Sequence, residues 1–169
     1  MMKEINPVNI TDNAVELIGH KWMLITAGER ESFNLMTASW GGIGFMWGKP
    51  VAFVVVRPNR YTYEFIEKKE YLTLSFMGEE FRSALRVCGT TSGRNGDKMA
   101  AAGLSPIVTE MGNVAVEGAD LVLECRKLYS DVLKESGFVD KSCLEKWYAE
   151  DNPLHRMYVV EIMHAWIKE

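Results

Sequence analysis

With 169 residues, 47% of them hydrophobic and 25% charged, the chain is expected to form a single domain spanning 1–169 with a substantial core. A net charge of −4 argues against a nucleic-acid-binding or anionic-membrane surface. The longest apolar run, "VAFVVV" at 51–56, has the length of a buried strand and is far too short to span a bilayer.

In chain order, "MMKEINPVNI" places Glu4, Asn6 and Pro7 where a signal peptide needs an apolar stretch, so a cytoplasmic protein is expected. "KWMLITAG" (21–28) and "FNLMTASW" (33–40) flank the polar turn "ERES" and read as a hairpin. "GGIGFMWGKP" (41–50) reads as a glycine-rich loop, and "VAFVVVR" (51–57), apolar on both faces, as a central strand. "PNR" breaks that strand, and "TYEFIEKK" (62–69) predicts a short helix capped by Thr62, with Glu64 and Lys68 as an i,i+4 pair. "YLTLSFM" (71–77) alternates as a strand, and "EEFRSALRVCG" (79–89) has helical spacing with Gly89 as its stop. "GDKMAAAG" (96–103) predicts a helix of one or two turns, capped by Asp97 and ended by Gly103. Two long β-rich runs, "ADLVLECRKLYSDVL" (119–133) and "MYVVEIMHAWI" (157–167), flank "CLEKWYAEDNP" (143–153), a short helix or loop. Long strands at hairpin spacing with only short helices predict a mainly β protein, a closed or nearly closed antiparallel barrel.

Charge is unevenly spread. From Arg57 to Lys98 there are eight basic and six acidic residues, against 11 basic and 17 acidic elsewhere. A locally positive window in an acidic chain suits a small anionic group. Three segments bear on this. In "RPNRYT" (57–62), Arg57 and Arg60 stand beside a helix start with unpaired N–H groups, either a phosphate grip or two solvated arginines by an ordinary cap. In "TTSGRNGDK" (90–98), two glycines permit an anion-binding concavity with Thr91, Ser92, Arg94 and Lys98 around it, or a plain surface turn. It lacks Walker A spacing. In "NLMTASWGG" (34–42), Leu35, Thr37 and Ser39 share one face and Asn34, Met36, Ala38 and Trp40 the other. Small residues at 37–39 leave room for a flat ring, which Trp40, Phe45, Met46 and Trp47 could wall by stacking. A half-exposed edge strand is the competing reading.

Other chemistries find little support. There is no GxSxG elbow for a Ser-His-Asp hydrolase. His20, His155 and His164 lack metal-ligand spacing, so no metal site is expected. Cys88, Cys125 and Cys143 form no CxxC and suggest neither disulfides nor zinc. Cys88 falls at a helix C-terminus, where the dipole disfavours thiolate. His155 could face a cleft, and Glu161, inside an apolar run, needs a partner or water.

The ordered set "NLMTASW" (34–40), "RPNRYT" (57–62), "CGTTSGRNGDK" (88–98) and "HRMYVVEI" (155–162) resembles the flavin reductase-like, FMN-binding split-barrel family, its flavoredoxin-type members most closely, from about Trp22 to Trp166. The resemblance implies a six-stranded antiparallel Greek-key split barrel with short flanking helices, usually a homodimer with FMN near the subunit interface. Carried over by residue, it implies that Asn34, Met36, Thr37, Ala38, Ser39 and Trp40 lie along the isoalloxazine ring. Arg57, Arg60 and Thr62, with Ser92, Gly93, Arg94 and Lys98, would bind the phosphate and ribityl side, and His155 would stand near the flavin's open face.

The function expected from that resemblance is an FMN-dependent oxidoreductase taking a hydride from NADH or NADPH and passing electrons onward. Such a protein needs no acid, base or nucleophile of its own. Two alternatives remain open: a flavoredoxin-type electron carrier serving a redox protein partner, and a non-catalytic module of the same barrel holding haem or another planar ligand.

Overall fold

The computed structural model describes residues 1–169. Its frame is two long neighbouring strands, β9 (Leu121–Val132) and β10 (Arg156–Lys168), paired antiparallel along most of their length. Before them in the chain come β1 (Met2–Ile5), β2 (Met23–Glu29), β3 (Ser32–Ala38), β4 (Gly41–Met46), β5 (Lys49–Val56) and β6 (Tyr71–Phe76). All join one antiparallel sheet of eight strands in the order β3-β2-β6-β9-β10-β5-β4, with β1 paired to the far end of β10. A separate two-stranded ribbon is formed by β7 (Pro106–Val108) and β8 (Val114–Val116).

The topology forces closure. β3 and β4 lie at opposite ends of the strand order, yet only Ser39 and Trp40 separate them in sequence. Three residue steps span at most about 11 Å, so the sheet must curl until its two edges meet at this linker. No β3–β4 hydrogen-bonded pairing bridges them, which leaves the barrel split at that seam. The antiparallel barrel with short helices is thus as expected, with more strands than the six anticipated.

Strand periodicity feeds two cores. Along β2, Met23, Ile25 and Ala27 point into the barrel, while Leu24 points outward. Outside, Leu24 and Leu35 are covered by α3 (Arg82–Thr90) and by Val114–Val116 of β8. Burial on both faces explains why these strands read as continuous apolar runs. Glu161 faces outward and finds two cations, Lys49 at 2.7 Å and Arg126 at 2.8 Å.

Several local expectations need correction. The stretch 41–50 is no loop: β4 pairs with β5 from Gly41↔Val54 to Met46↔Lys49. Its glycines look like breakers, but a Cβ at Gly41 (φ +149°) would stand 2.2 Å from the Phe53 carbonyl oxygen, so the close approach demands glycine. Helix α2 (Tyr61–Lys68) is capped by Arg60 and not Thr62, which lies buried in its first turn. Gly89 falls inside α3 and does not stop it; it is small because Thr37 Cβ lies 3.4 Å from where its own Cβ would be. Asp97 does cap α4 (Lys98–Ala101), accepting from the Ala100 N–H at 3.0 Å, and Gly103 ends the turn at φ +68°. β1, β7, β8 and α1 (Ala14–Glu16), which a π turn continues to Lys21, are too short or irregular to leave a periodic signal.

Gly41→Ala is expected to lower the unfolding free energy by about 2–3 kcal/mol. Gly48→Ala, at φ +72° with nothing within 4 Å of the added methyl, should cost about 1 kcal/mol. Urea denaturation of both variants measures the difference; equal losses would mean that the contact with Phe53 does not constrain β4.

Candidate functional site

Three cations meet where β5, α2, α3 and α4 come together. β5 ends at Val56, and the turn that follows, closed by Arg60 N–H to Arg57 C=O at 3.1 Å, turns Arg60 toward the end of α3 and Arg57 toward Trp147 and Pro153. Arg60 donates to the Gly89 carbonyl at 3.4 Å. Lys98, only 5% exposed, donates to the neighbouring Cys88 carbonyl at 3.0 Å. Arg57 donates to the carbonyls of Trp147 (2.9 Å) and Pro153 (3.3 Å), with its guanidinium 5.1 Å from the centre of the Tyr148 ring.

None of the three takes part in any of the chain's ion pairs. Their compensation is carbonyl oxygens and, for Arg57, the Tyr148 ring, the carbonyls of Cys88 and Gly89 lying at the negative end of the α3 dipole. The cost shows in the acidities of Arg60 and Lys98. Burial, and then Arg57, hold the Arg60 guanidinium below its ordinary value. Burial and the nearby Arg60 bring Lys98 from 10.5 down to about 8. Semi-buried cations without counter-charge mark a place built to receive an anion.

Two clefts adjoin at Arg60. One, of about 190 Å³, is lined by Thr37 and Ala38 at the end of β3, by Ser39 and Trp40 of the linker to β4, and by Trp147 and His155. The second, of about 250 Å³, runs from Arg60 along Thr90–Ser92 to Lys98. Thr37 is tied down by donating to the Leu85 carbonyl at 2.5 Å, which leaves a slim strand as the floor. Trp40 meets Trp147 edge-on at 4.9 Å and His155 at 5.0 Å. The imidazole, 8% exposed, is held neutral: burial, then Arg57 and Arg60, bring its pKa down to about 4. A third groove, about 200 Å³ between Met2, Ile107 and Trp166, has no basic residue in its lining.

Of the residues singled out in the sequence, Met36, Thr37, Ala38, Ser39, Trp40, Arg57, Arg60 and His155 line the first cleft, and Arg60, Ser92 and Lys98 the second. Others lie behind them. Asn34 and Thr62 are buried and bonded to each other, Nδ2 to Oγ1 at 2.7 Å. Gly93 stands so close that an added Cβ would lie 2.0 Å from Asn34 Oδ1. These three clamp the start of α2 to β3. Arg94 turns outward, pairing with Glu64 and lying 4.7 Å over the Tyr61 ring, so Glu64 has this partner and not Lys68. Phe45, Met46 and Trp47 sit at the exposed β4–β5 tip, away from both clefts. Trp147, on α5 (Lys141–Trp147), was not singled out; its contact with Trp40 joins residues too distant in sequence for any local pattern to reveal.

Nothing here equips the chain as a covalent catalyst. The Cys88 thiol is buried and its pKa raised, and no acid–base pair points into the clefts beyond the neutral imidazole. The residues suit a planar group with an anionic tail.

Residues 16–169 match the family model described as the flavin reductase like domain. The fold is similar to that of a flavoredoxin from Methanosarcina acetivorans, at 23% identity and TM-score 0.68, covering 88% of this chain and 69% of that one. It is also similar to an FMN-binding domain of a flavin reductases-like enzyme from Shewanella baltica (18% identity, TM-score 0.70, 99% and 77% covered). A NADH:FAD oxidoreductase from Streptomyces globisporus shows the same architecture at 14% identity and TM-score 0.64, with 88% and 75% covered. Among curated proteins, none matches the sequence.

Because Lys98 titrates near 8 in the folded chain and at 10.5 ordinarily, the unfolded state binds more protons between those values. Stability should therefore rise with pH through that window. Lys98→Met, which removes the charge and keeps the stem, is expected to stabilise the protein at pH 7 by roughly 1–2 kcal/mol after loss of the bond to Cys88. Denaturation at several pH values tests this: the gain should shrink above pH 8, and a gain independent of pH would contradict the assignment.

Proposed function

Because the chain belongs to the flavin reductase-like domain family, we propose that it binds FMN and acts as an oxidoreductase, taking a hydride from NADH or NADPH and passing electrons onward. The observation that carries this reading is the run of Arg57, Arg60 and Lys98, none with an acidic partner, beside the slim segment Thr37–Ser39. Arg60, Lys98 and the Ser92 hydroxyl would hold the phosphate, helped by the first N–H groups of α2. Ser92 Oγ accepts from the Arg94 N–H, which leaves its proton free to donate. Arg57 is committed to the Trp147 and Pro153 carbonyls, so it adds field more than contact. The ring system would lie along Thr37, Ala38 and Ser39 against Trp40. Once bound, flavin supplies the hydride and electron chemistry, which relieves the chain of any need for a nucleophile. The chain's own residues bind, orient and shield.

An electron-carrier reading is favoured by one feature. Trp147 closes one wall of the first cleft against Trp40, narrowing access for a nicotinamide. Mixing FMN-loaded protein with NADH separates the two: rapid bleaching identifies a reductase, and persistence of the yellow colour a carrier. Homodimerisation is part of the same proposal, supported by the free edge of β4 and by Phe45 and Trp47, 69% and 56% exposed at its tip. Three free cysteines suit a reducing cytoplasm.

Titration with FMN should give a bound-flavin spectrum at pH 7. Arg60→Ala and Lys98→Met are each expected to weaken binding by about 1.5–3 kcal/mol, and Arg94→Ala by less than about 0.5 kcal/mol. Since Lys98 titrates near 8 when free, affinity should fall as pH rises through that value, because the bound phosphate requires the ammonium. Equal losses at Arg94 and Arg60, or no binding by the unaltered chain, would remove the proposed clamp.

A further inference from the structure

His155 closes the first cleft at the point where the segment between β9 and β10 returns to the barrel. One ring nitrogen, Nδ1, lies 2.7 Å from the Tyr148 hydroxyl. The other, Nε2, has no partner within the chain, and it is not among the side-chain atoms sealed from solvent without one. It is therefore open to solvent on a residue that lines the cleft beside Trp40 and Trp147.

Tyr148 is itself held on several sides. Its backbone N–H donates to the Leu144 carbonyl at 2.9 Å, the Arg57 guanidinium lies over its ring, and Phe138 meets it edge-on at 5.7 Å. Nδ1 of His155 is the one acceptor the chain offers its hydroxyl proton. A hydroxyl that donates to Nδ1 leaves the imidazole proton on Nε2.

We propose that Tyr148 is a positioning residue that fixes His155 as an uncharged imidazole whose Nε2–H offers a hydrogen-bond donor to a carbonyl oxygen of a planar ligand in the cleft. The charged groups facing the ring are Arg57, on the turn after β5, and Arg60, at the cap of α2; no carboxylate is among its neighbours in effect. Both arginines and burial oppose a proton on Nδ1, so the donor is neutral wherever the fold persists above pH 5. A neutral donor can polarise a carbonyl without adding a third positive charge beside the two arginines. The carbonyl could belong to the flavin ring or to a nicotinamide carboxamide, and the choice of ligand rests on the function proposed above. The tautomer does not.

The test begins on the ligand-free protein. With only His20, His155 and His164 in the chain, long-range ¹⁵N–¹H spectra, assigned with a His155→Gln variant, report the ring directly. The expected result is an Nε2–H tautomer that stays unprotonated down to pH 5, becoming a mixture of tautomers in Tyr148→Phe while the thermal midpoint is little changed. An Nδ1–H tautomer in the unaltered chain, or protonation of His155 near its ordinary 6.5, would overturn the proposal whatever the variant does. Tyr148→Phe should also weaken one interaction about five- to tenfold. Loss of FMN affinity identifies the flavin carbonyl, and a raised KM for NADH or NADPH at unchanged FMN affinity identifies the carboxamide. Loss of neither would overturn the ligand-facing role. Failure of FMN to bind at all would sink the flavin reading, while the tautomer spectrum would still decide the positioning role.

Discussion

The site depends on a missing counter-charge. Arg57, Arg60 and Lys98 follow one another along the site, with carbonyl oxygens and the Tyr148 ring as partners and no carboxylate. Many of the chain's other basic side chains also lack an acidic partner. What sets this group apart is that, on top of burial, Arg57 lowers the pKa of Arg60 and Arg60 that of Lys98 beside the two clefts. Other buried or half-buried charges do find partners: Glu161 takes both Lys49 and Arg126, and Arg94 takes Glu64. Semi-buried cations held apart from carboxylates cost stability in the free protein, and that cost is relieved when an anion arrives. Stability and binding are thereby set against each other at Lys98.

The fold explains why this happens beside a slim strand. The sheet is split where Ser39 and Trp40 join its two edges, and a seam is where a barrel wall can open onto a cleft. β3 stays thin there because Thr37 is bonded to α3 and Gly89 lies against it. Behind the cleft, the Asn34–Thr62 bond and the close approach of Gly93 set the start of α2, and with it Arg60. On the other side, Arg57 fastens Trp147 and Pro153. One arginine therefore serves the wall of the cleft while its neighbour faces the proposed anion site.

Much of this was legible in the sequence, for identifiable reasons. The central strand announced itself through the unbroken apolar run at Val51–Val56, and the turn at Asp97–Gly103 through its cap and its positive-φ glycine. What escaped depended on contacts distant in the chain. Glycines at 41, 42 and 44 look like loop residues until Phe53 lies against them. Thr62 looks like a cap until Asn34 claims its hydroxyl, and Arg94 looks like a clamp residue until Glu64 takes it. Trp147 carries no local signal, since its partners Trp40 and Arg57 lie far back in the chain. Periodicity reports which face is buried; it does not report what a polar side chain will meet.

The most direct test of the central claim compares the affinity of the protein for FMN with its affinity for riboflavin, which has the same ring system and lacks the phosphate. If the unpaired cations exist to hold that phosphate, FMN should bind tighter on the order of a hundredfold or more, as expected for two charge-assisted hydrogen bonds. Equal affinities would show that Arg60 and Lys98 have another purpose, and the account of the site would fail with them.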